Sequence, residues 1–117
     1  IKPSFNPPDW IFAPVWTTLY LMMTIAIWFF WHSKSRNMNT VYIYFIHLIF
    51  NTTWSIIFFV FHNILLALIV LFILIILIIT LIIRFKRVNL LSAYLMIPYL
   101  LWCCFALILN MSLLILN

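Results

Sequence analysis

The sequence predicts an all-α integral membrane protein, a helical bundle with four transmembrane helices. Of its 117 residues, 69% are hydrophobic, whereas only six are Lys or Arg and one is an acid. Soluble domains carry about 25% charged residues, so this chain could not cover a water-facing surface. The apolar residues also form four long stretches, and a helix of roughly 20 such residues crosses the hydrocarbon core of a bilayer.

The four stretches run from about residue 10 to 31, from 41 to 61, from 64 to 83 and from 90 to 117. We assign them to one domain that covers residues 1–117. Short connections join them, so consecutive helices are expected to be antiparallel neighbours. The third stretch is almost entirely branched aliphatic and is expected to face lipid. A membrane β-barrel would instead show short segments of alternating polarity.

The cations predict the orientation of the bundle. Loops rich in Lys and Arg stay in the cytoplasm. The connections after the first and third helices carry most of the cations, so they are expected on that side. The net charge of +5 therefore indicates topology rather than nucleic-acid binding. We expect the first stretch to be retained, since no small-residue cleavage site follows it. Five of the six cations lie in these two connections, and the sixth precedes the first helix: Lys34, Arg36, Arg84, Lys86 and Arg87, with Lys2 apart.

Side chains for acid–base or metal chemistry are scarce. The chain has no Glu, and Asp9 lies near a membrane interface, so no pair of carboxylates could divide acid and base roles. The adjacent Cys103 and Cys104 lack metal-ligand spacing. His47 is expected to be a structural polar residue in preference to a haem ligand. Binding is therefore favoured over enzymatic turnover, and a proton-driven exporter is disfavoured because no membrane-embedded Glu exists.

One polar stripe lies on the second helix, where His47, Asn51 and Ser55 recur every four residues with Trp54 beside them. A polar group inside a membrane is costly unless it is paired or lines a cavity, so the stripe should face inward. Two interpretations remain open: Asn51 and Ser55 form interhelical hydrogen bonds, which is favoured, or Asn51 orients a ligand.

The last helix carries a second arc, formed by Tyr99, Trp102, Ala106 and Asn110. Its small residue leaves room for a flat ligand or another helix, although core packing is the default interpretation. Pro98 should bend this helix beside the aromatic pair.

The first helix contributes Trp16 and Tyr20. Trp10 suits an interfacial anchor, and Asp9 and the two preceding prolines suit a helix start. Pro14 should disturb the helical ladder near Trp16. Twelve Phe, six Trp and five Tyr exceed what interfacial belts need, so these rings are candidates for stacking on a ligand.

Three ordered blocks resemble the TspO/translocator-protein family (TspO/MBR), also called peripheral-type benzodiazepine receptors and tryptophan-rich sensory proteins. The blocks are KPSFNPPDW at residues 2–10 followed by APVWT at 13–17 and LY at 19–20, NTTWS at 51–55 with FF at 58–59, and IPYLLW at 97–102 with FA at 105–106 and LN at 109–110. The resemblance begins at the family's second helix, so the family's first transmembrane helix has no counterpart in this sequence.

The resemblance implies a five-helix bundle, often dimeric, that binds porphyrins and in animals also cholesterol and drugs. By position, Trp16 and Trp102 match pocket tryptophans implicated in porphyrin binding and light-dependent porphyrin breakdown, and Asn51 matches a pocket polar residue. The animal sterol motif needs a cation after a tyrosine near the C-terminus. No Lys or Arg follows Tyr99, so that site is not carried over.

We therefore expect a membrane receptor or carrier for a flat hydrophobic ligand, foremost a porphyrin such as protoporphyrin or haem, with no obligatory cofactor and no metal site. The alternatives are light-dependent porphyrin degradation and transport of a sterol or tetrapyrrole. The expected partners are the lipid bilayer, the ligand and a second copy of the chain, in a bacterial membrane or, alternatively, the mitochondrial outer membrane. The candidate ligand-binding residues are Trp16, Tyr20, Asn51, Trp54, Tyr99, Trp102, Ala106 and Asn110.

Overall fold

A computed structural model describes residues 9–34 and 37–116 and contains four long helices. All four are long and apolar enough to cross a membrane, and the described residues form no strand. The predicted all-α membrane bundle is therefore confirmed. A single π-helical turn, Ile56–Val60, follows the second helix. The helices are α1 Asp9–Trp31, α2 Met38–Ser55, α3 Ile64–Lys86 and α4 Leu90–Leu116.

The helix backbones pack in the order α1, α4, α3, α2, so the backbones of the first and second helices come close at few positions, although their side chains meet around Tyr20 and Asn51. The expectation that consecutive helices are neighbours holds for α2 with α3 and for α3 with α4, and for α1 with α2 it holds only through such side-chain contacts. Small residues explain why α1 prefers α4. The Ser92 hydroxyl donates to the Ala26 carbonyl at 2.8 Å, and both residues are fully buried, as is typical of close helix contacts in membranes.

Helix α3 lies at the centre of the core, between α2 and α4. Its outer face, which includes Phe72 and Ile76, is exposed. The expectation that this helix faces lipid is therefore correct for one face only. Composition could not separate the two faces, because a protein core and a lipid tail are equally apolar. The buried face follows helical spacing and consists of Ala67, Val70, Leu71, Leu74, Ile75, Ile78, Leu81 and Phe85.

Asparagines begin the last three helices. Asn37, Asn63 and Asn89 each accept, through the side-chain oxygen, a hydrogen bond from a backbone N–H two or three residues later, at 2.8 to 3.2 Å. Such caps satisfy donors that the first helical turn leaves without partners. His62, just before the second of these caps, adopts a left-handed conformation with φ of 54°.

Two prolines lie within helices that remain continuous, since α1 runs through Pro14 and α4 runs through Pro98. Neither proline ends its helix. Trp10 is 73% exposed at the start of α1, and its role as an interfacial anchor stays a prediction. The predictions for Lys2, the prolines at positions 7 and 8, Arg36 and Asn117, and for the side chain of Asp9, lie outside the described residues.

Candidate functional site

Five candidate residues from three helices form one aromatic cluster around Trp16. The centroid of the Trp16 ring lies 5.7 Å from that of Tyr20, 6.2 Å from Trp54, 6.3 Å from Tyr99 and 6.4 Å from Trp102. The two indoles of Trp16 and Trp102 meet edge to face, with 88° between their planes. These separations lie in the range in which aromatic rings attract one another. We call these five residues the aromatic cluster.

The aromatic cluster has a buried base and an accessible rim. Tyr99 is fully buried and Trp54 is 3% exposed, whereas Tyr20 is 41% exposed and the rings of Trp16 and Trp102 are half-buried. The rim contains rings from both α1 and α4. A flat molecule could therefore reach the rim rings without displacing the buried pair.

Asn51 ties the aromatic cluster together through hydrogen bonds to two other helices. The Tyr20 hydroxyl on α1 donates to Asn51 Oδ1 at 2.7 Å, and Asn51 Nδ2 donates to the Tyr99 hydroxyl on α4 at 2.7 Å. The Asn51 side chain is almost completely buried. Its geometry matches the interpretation that Asn51 forms interhelical hydrogen bonds, since protein groups occupy both ends of its amide.

The two other polar residues of the α2 stripe, His47 and Ser55, differ in burial and in hydrogen-bond partners. His47 is fully buried, with Nε2 3.0 Å from the Tyr99 hydroxyl and Nδ1 2.8 Å from the Tyr44 carbonyl. Its position is that of a structural polar residue. Ser55 is half-buried, and its hydroxyl donates to the carbonyl of Asn51 in its own helix at 3.3 Å. That bond links no second helix.

Asn110 extends the network to the start of α3. Its Oδ1 accepts a hydrogen bond from Trp54 Nε1 at 3.3 Å, and its Nδ2 donates to the carbonyl of Ile64 at 3.0 Å. Asn110 is fully buried, and Ala106, one turn earlier on α4, is 7% exposed. These two candidates therefore lie in the packed interior, where Asn110 orients Trp54.

Three phenylalanines that are not among the candidate ligand-binding residues enlarge the aromatic surface. Phe12 contacts Trp102 at 5.9 Å and Phe59 at 6.2 Å, while Trp54 stacks on Phe58 at 5.1 Å and meets Phe59 at 5.8 Å. Helical periodicity could have identified Phe12, because Phe12 precedes Trp16 of the aromatic cluster by one helical turn. Phe59 belongs to the second block of the family resemblance, but helical periodicity gave no signal for it, because only the wider π-helical turn lets positions four and five residues after Trp54 both face it.

An apolar groove of about 460 Å³ lies where α1 and α2 separate. It runs beside the connection between these two helices, at the end of the bundle opposite to Trp10. The groove contains aromatic rings but none of the candidate ligand-binding residues. Its lining residues are Thr24, Ile27, Trp28, Trp31, Met38, Val41, Tyr42 and Phe45.

Comparison with known proteins gives a consistent result. A family model described as the TspO/MBR family matches residues 1–116. The chain is 39% identical to tryptophan-rich protein TspO of Chlorobaculum tepidum, over all of this chain and 76% of that protein. It is 38% identical to tryptophan-rich protein TspO of Archaeoglobus fulgidus, over 99% of this chain and 76% of that protein. It is 31% identical to the human translocator protein, over 93% of this chain and 67% of that protein.

Proposed function

This chain belongs to the TspO/MBR family, and from that premise we propose that it is a receptor for a flat hydrophobic ligand, foremost a porphyrin such as protoporphyrin or haem. It is a multi-pass membrane protein, with four helices that can span a bilayer. The proposed site is the rim of the aromatic cluster. Ligand sites are typically apolar surfaces with a few polar groups that fix orientation, and the rim has this composition.

One observation carries the proposal: Trp16 of α1 and Trp102 of α4 meet edge to face and remain only half-buried. Two indoles at a right angle offer a face and an edge to the same planar ligand. Tyr20, a residue that is 41% exposed on the same rim, supplies a polar group beside them. Asn51 supports this site indirectly, because its amide holds Tyr20 in place.

The test is a titration of the full chain in detergent with protoporphyrin, followed by porphyrin absorbance and by quenching of tryptophan fluorescence. Trp16→Ala and Trp102→Ala should each weaken binding by about 1–3 kcal/mol if the rings stack on the ligand as they do on nucleobases. That loss corresponds to a roughly 5- to 150-fold higher Kd. Trp16→Phe keeps a ring and should lose less than Trp16→Ala.

Trp28→Ala is the matched control, because Trp28 is another α1 tryptophan, 55% exposed, that lines the groove between α1 and α2. Its affinity for protoporphyrin should equal that of the unmodified chain. If Trp28→Ala weakens binding and the two rim variants do not, the ligand occupies the groove and the proposed site is wrong.

A second candidate function is light-dependent breakdown of the bound porphyrin. The observation that favours it is the continuity of ring contacts from Trp16 on the rim to Tyr99 in the interior, since such contacts let an electron leave the rim. Illumination under oxygen with product analysis tests this activity. Loss of porphyrin at the same rate without the protein would reject it.

A further inference from the structure

The buried hydroxyl of Tyr99 lies in a chain of four hydrogen bonds whose direction is set at one end. The Tyr44 carbonyl can only accept, so His47 Nδ1, 2.8 Å away, carries a hydrogen and donates it. In a neutral imidazole the other nitrogen is then an acceptor. Tyr99 therefore donates its hydroxyl hydrogen to His47 Nε2 at 3.0 Å.

The remaining bonds agree with this direction. Because Tyr99 has already donated its hydrogen to His47, its oxygen accepts from Asn51 Nδ2 at 2.7 Å, and Asn51 Oδ1 accepts from the Tyr20 hydroxyl at 2.7 Å. The two tyrosines thus differ in one chemical respect. The proton of Tyr99 points at an imidazole nitrogen, which is a base, whereas the proton of Tyr20 points at an amide oxygen, which is not.

Both tyrosines contact the same accessible indole. The ring of Trp16 is half-buried on the rim and lies 5.7 Å from Tyr20 and 6.3 Å from Tyr99 between centroids. Tyr99 itself is fully buried, so an external oxidant reaches it only through its neighbours. Trp16 is the neighbour that is open to the outside.

We propose that Tyr99 and His47 form a redox pair that removes an oxidising equivalent from Trp16. A one-electron oxidant, either a photoexcited aromatic pigment or a small inorganic radical, first takes an electron from Trp16 and leaves its indole radical cation. Tyr99 then gives one electron to Trp16. Its O–H bond breaks, and the proton forms an N–H bond at His47 Nε2. The products are neutral Trp16, a neutral Tyr99 phenoxyl radical and a His47 imidazolium.

The route needs no second ion. One positive charge is present before the step, on the half-buried Trp16, and one after it, on the fully buried His47, so the step moves a charge inward but creates no additional one. Oxidation of Tyr20 lacks this outlet, because its proton has no base to receive it. The inference goes beyond ligand binding, since it concerns side chains of the chain itself and requires no porphyrin.

The experiment supplies the oxidant externally, so that its result does not depend on porphyrin binding. The full chain in detergent is oxidised by azide radicals generated in a radiation pulse, and transient absorption follows the indole and phenoxyl radicals. In the unmodified chain, the indole radical should decay as a phenoxyl radical appears. The rate of this electron transfer from Tyr99 to Trp16 should not depend on protein concentration, and it should be lower in heavy water than in light water.

The variants distinguish two roles of His47, as the base that takes the proton and as a hydrogen-bond acceptor for Tyr99. Tyr99→Phe should abolish the phenoxyl signal that grows as the indole radical decays, and it should prolong the radical of Trp16. His47→Gln should do the same, because its amide oxygen still accepts the bond but is not a base. Direct oxidation of the exposed Tyr42 and Tyr94 gives a prompt phenoxyl signal that all variants share. Tyr20→Phe is the matched control, since it removes the other phenol beside Trp16, and it should leave the phenoxyl yield unchanged. Circular dichroism and tryptophan emission verify that each variant is folded.

Three results would overturn the pair. The first is a phenoxyl signal that still grows as the indole radical decays in Tyr99→Phe, or that no longer does so in Tyr20→Phe. The second is a transfer rate that is equal in light and heavy water, which is measured on the unmodified chain and so does not depend on whether any variant folds. The third is normal transfer in folded His47→Gln, which would exclude His47 as the proton acceptor.

Discussion

Replacement of Asn51 by leucine should loosen the contact between three helices. The substitution removes the hydrogen bonds to Tyr20 and Tyr99, each 2.7 Å long, and supplies an apolar side chain of similar size. Interhelical side-chain hydrogen bonds in membranes contribute about 0.6 kcal/mol on average and at most about 1.7. The loss of two such bonds should therefore lower the free energy of unfolding by about 1–3 kcal/mol.

The assay is a denaturant titration of the chain in mixed detergent and lipid, monitored by circular dichroism, in a double-mutant cycle with Tyr99→Phe and with Tyr20→Phe. The coupling of Asn51 to Tyr99 should exceed that to Tyr20, because Tyr99 is fully buried and Tyr20 is 41% exposed. Ser55→Ala is the control, since its hydroxyl bonds only within α2 among the described contacts. Equal stability of Asn51→Leu and Ser55→Ala would refute the reasoning.

Two further substitutions test the packing of α3 and α4. Ala67→Leu inserts bulk at a completely buried position of α3 and should lower the free energy of unfolding by about 1–3 kcal/mol. The measurement is thermal unfolding, and Leu65→Ala, at an exposed position of the same helix, is the control and should have little effect. Asn110→Leu removes the bonds to Trp54 Nε1 and to the carbonyl of Ile64 and should cost about 1–2 kcal/mol. Unaltered hydrogen exchange in the first turn of α3 would contradict the role given to Asn110.

The number and extent of the helices could be predicted because each apolar stretch has the length that a bilayer requires. The inward stripe of α2 could also be predicted, since His47 and Asn51 lie one turn apart and neither tolerates lipid. Both residues are buried. Helical periodicity likewise placed Tyr99 and Trp102 on one arc of α4, and both belong to the aromatic cluster.

The order of the helices could not be predicted from composition. Core and lipid are both apolar, so the aliphatic run of α3 gave no sign of its central position. The separation of α1 from α2 depends on the close contact of Ala26 with Ser92, which involves two small residues far apart in the chain. The position of Phe59 depends on a π-helical turn, which no α-helical periodicity reveals. The direction of the hydrogen bond from Tyr99 depends on the backbone carbonyl of Tyr44, which only coordinates can place.

Because of the opening between α1 and α2, the helices should differ in the force that is needed to pull them out of the bundle. Helix α3 is held from two sides, whereas α1 rests mainly on α4. The links of α1 to the remainder include the rings around Trp16, the hydrogen bond from Tyr20, the contact at Ala26 and the ring contact of Phe30 with Phe85 of α3. Regions with fewer contacts open at lower free energy. A force applied at the Trp10 end should therefore peel α1 away as a separate early step and leave α2, α3 and α4 together as a three-helix remnant.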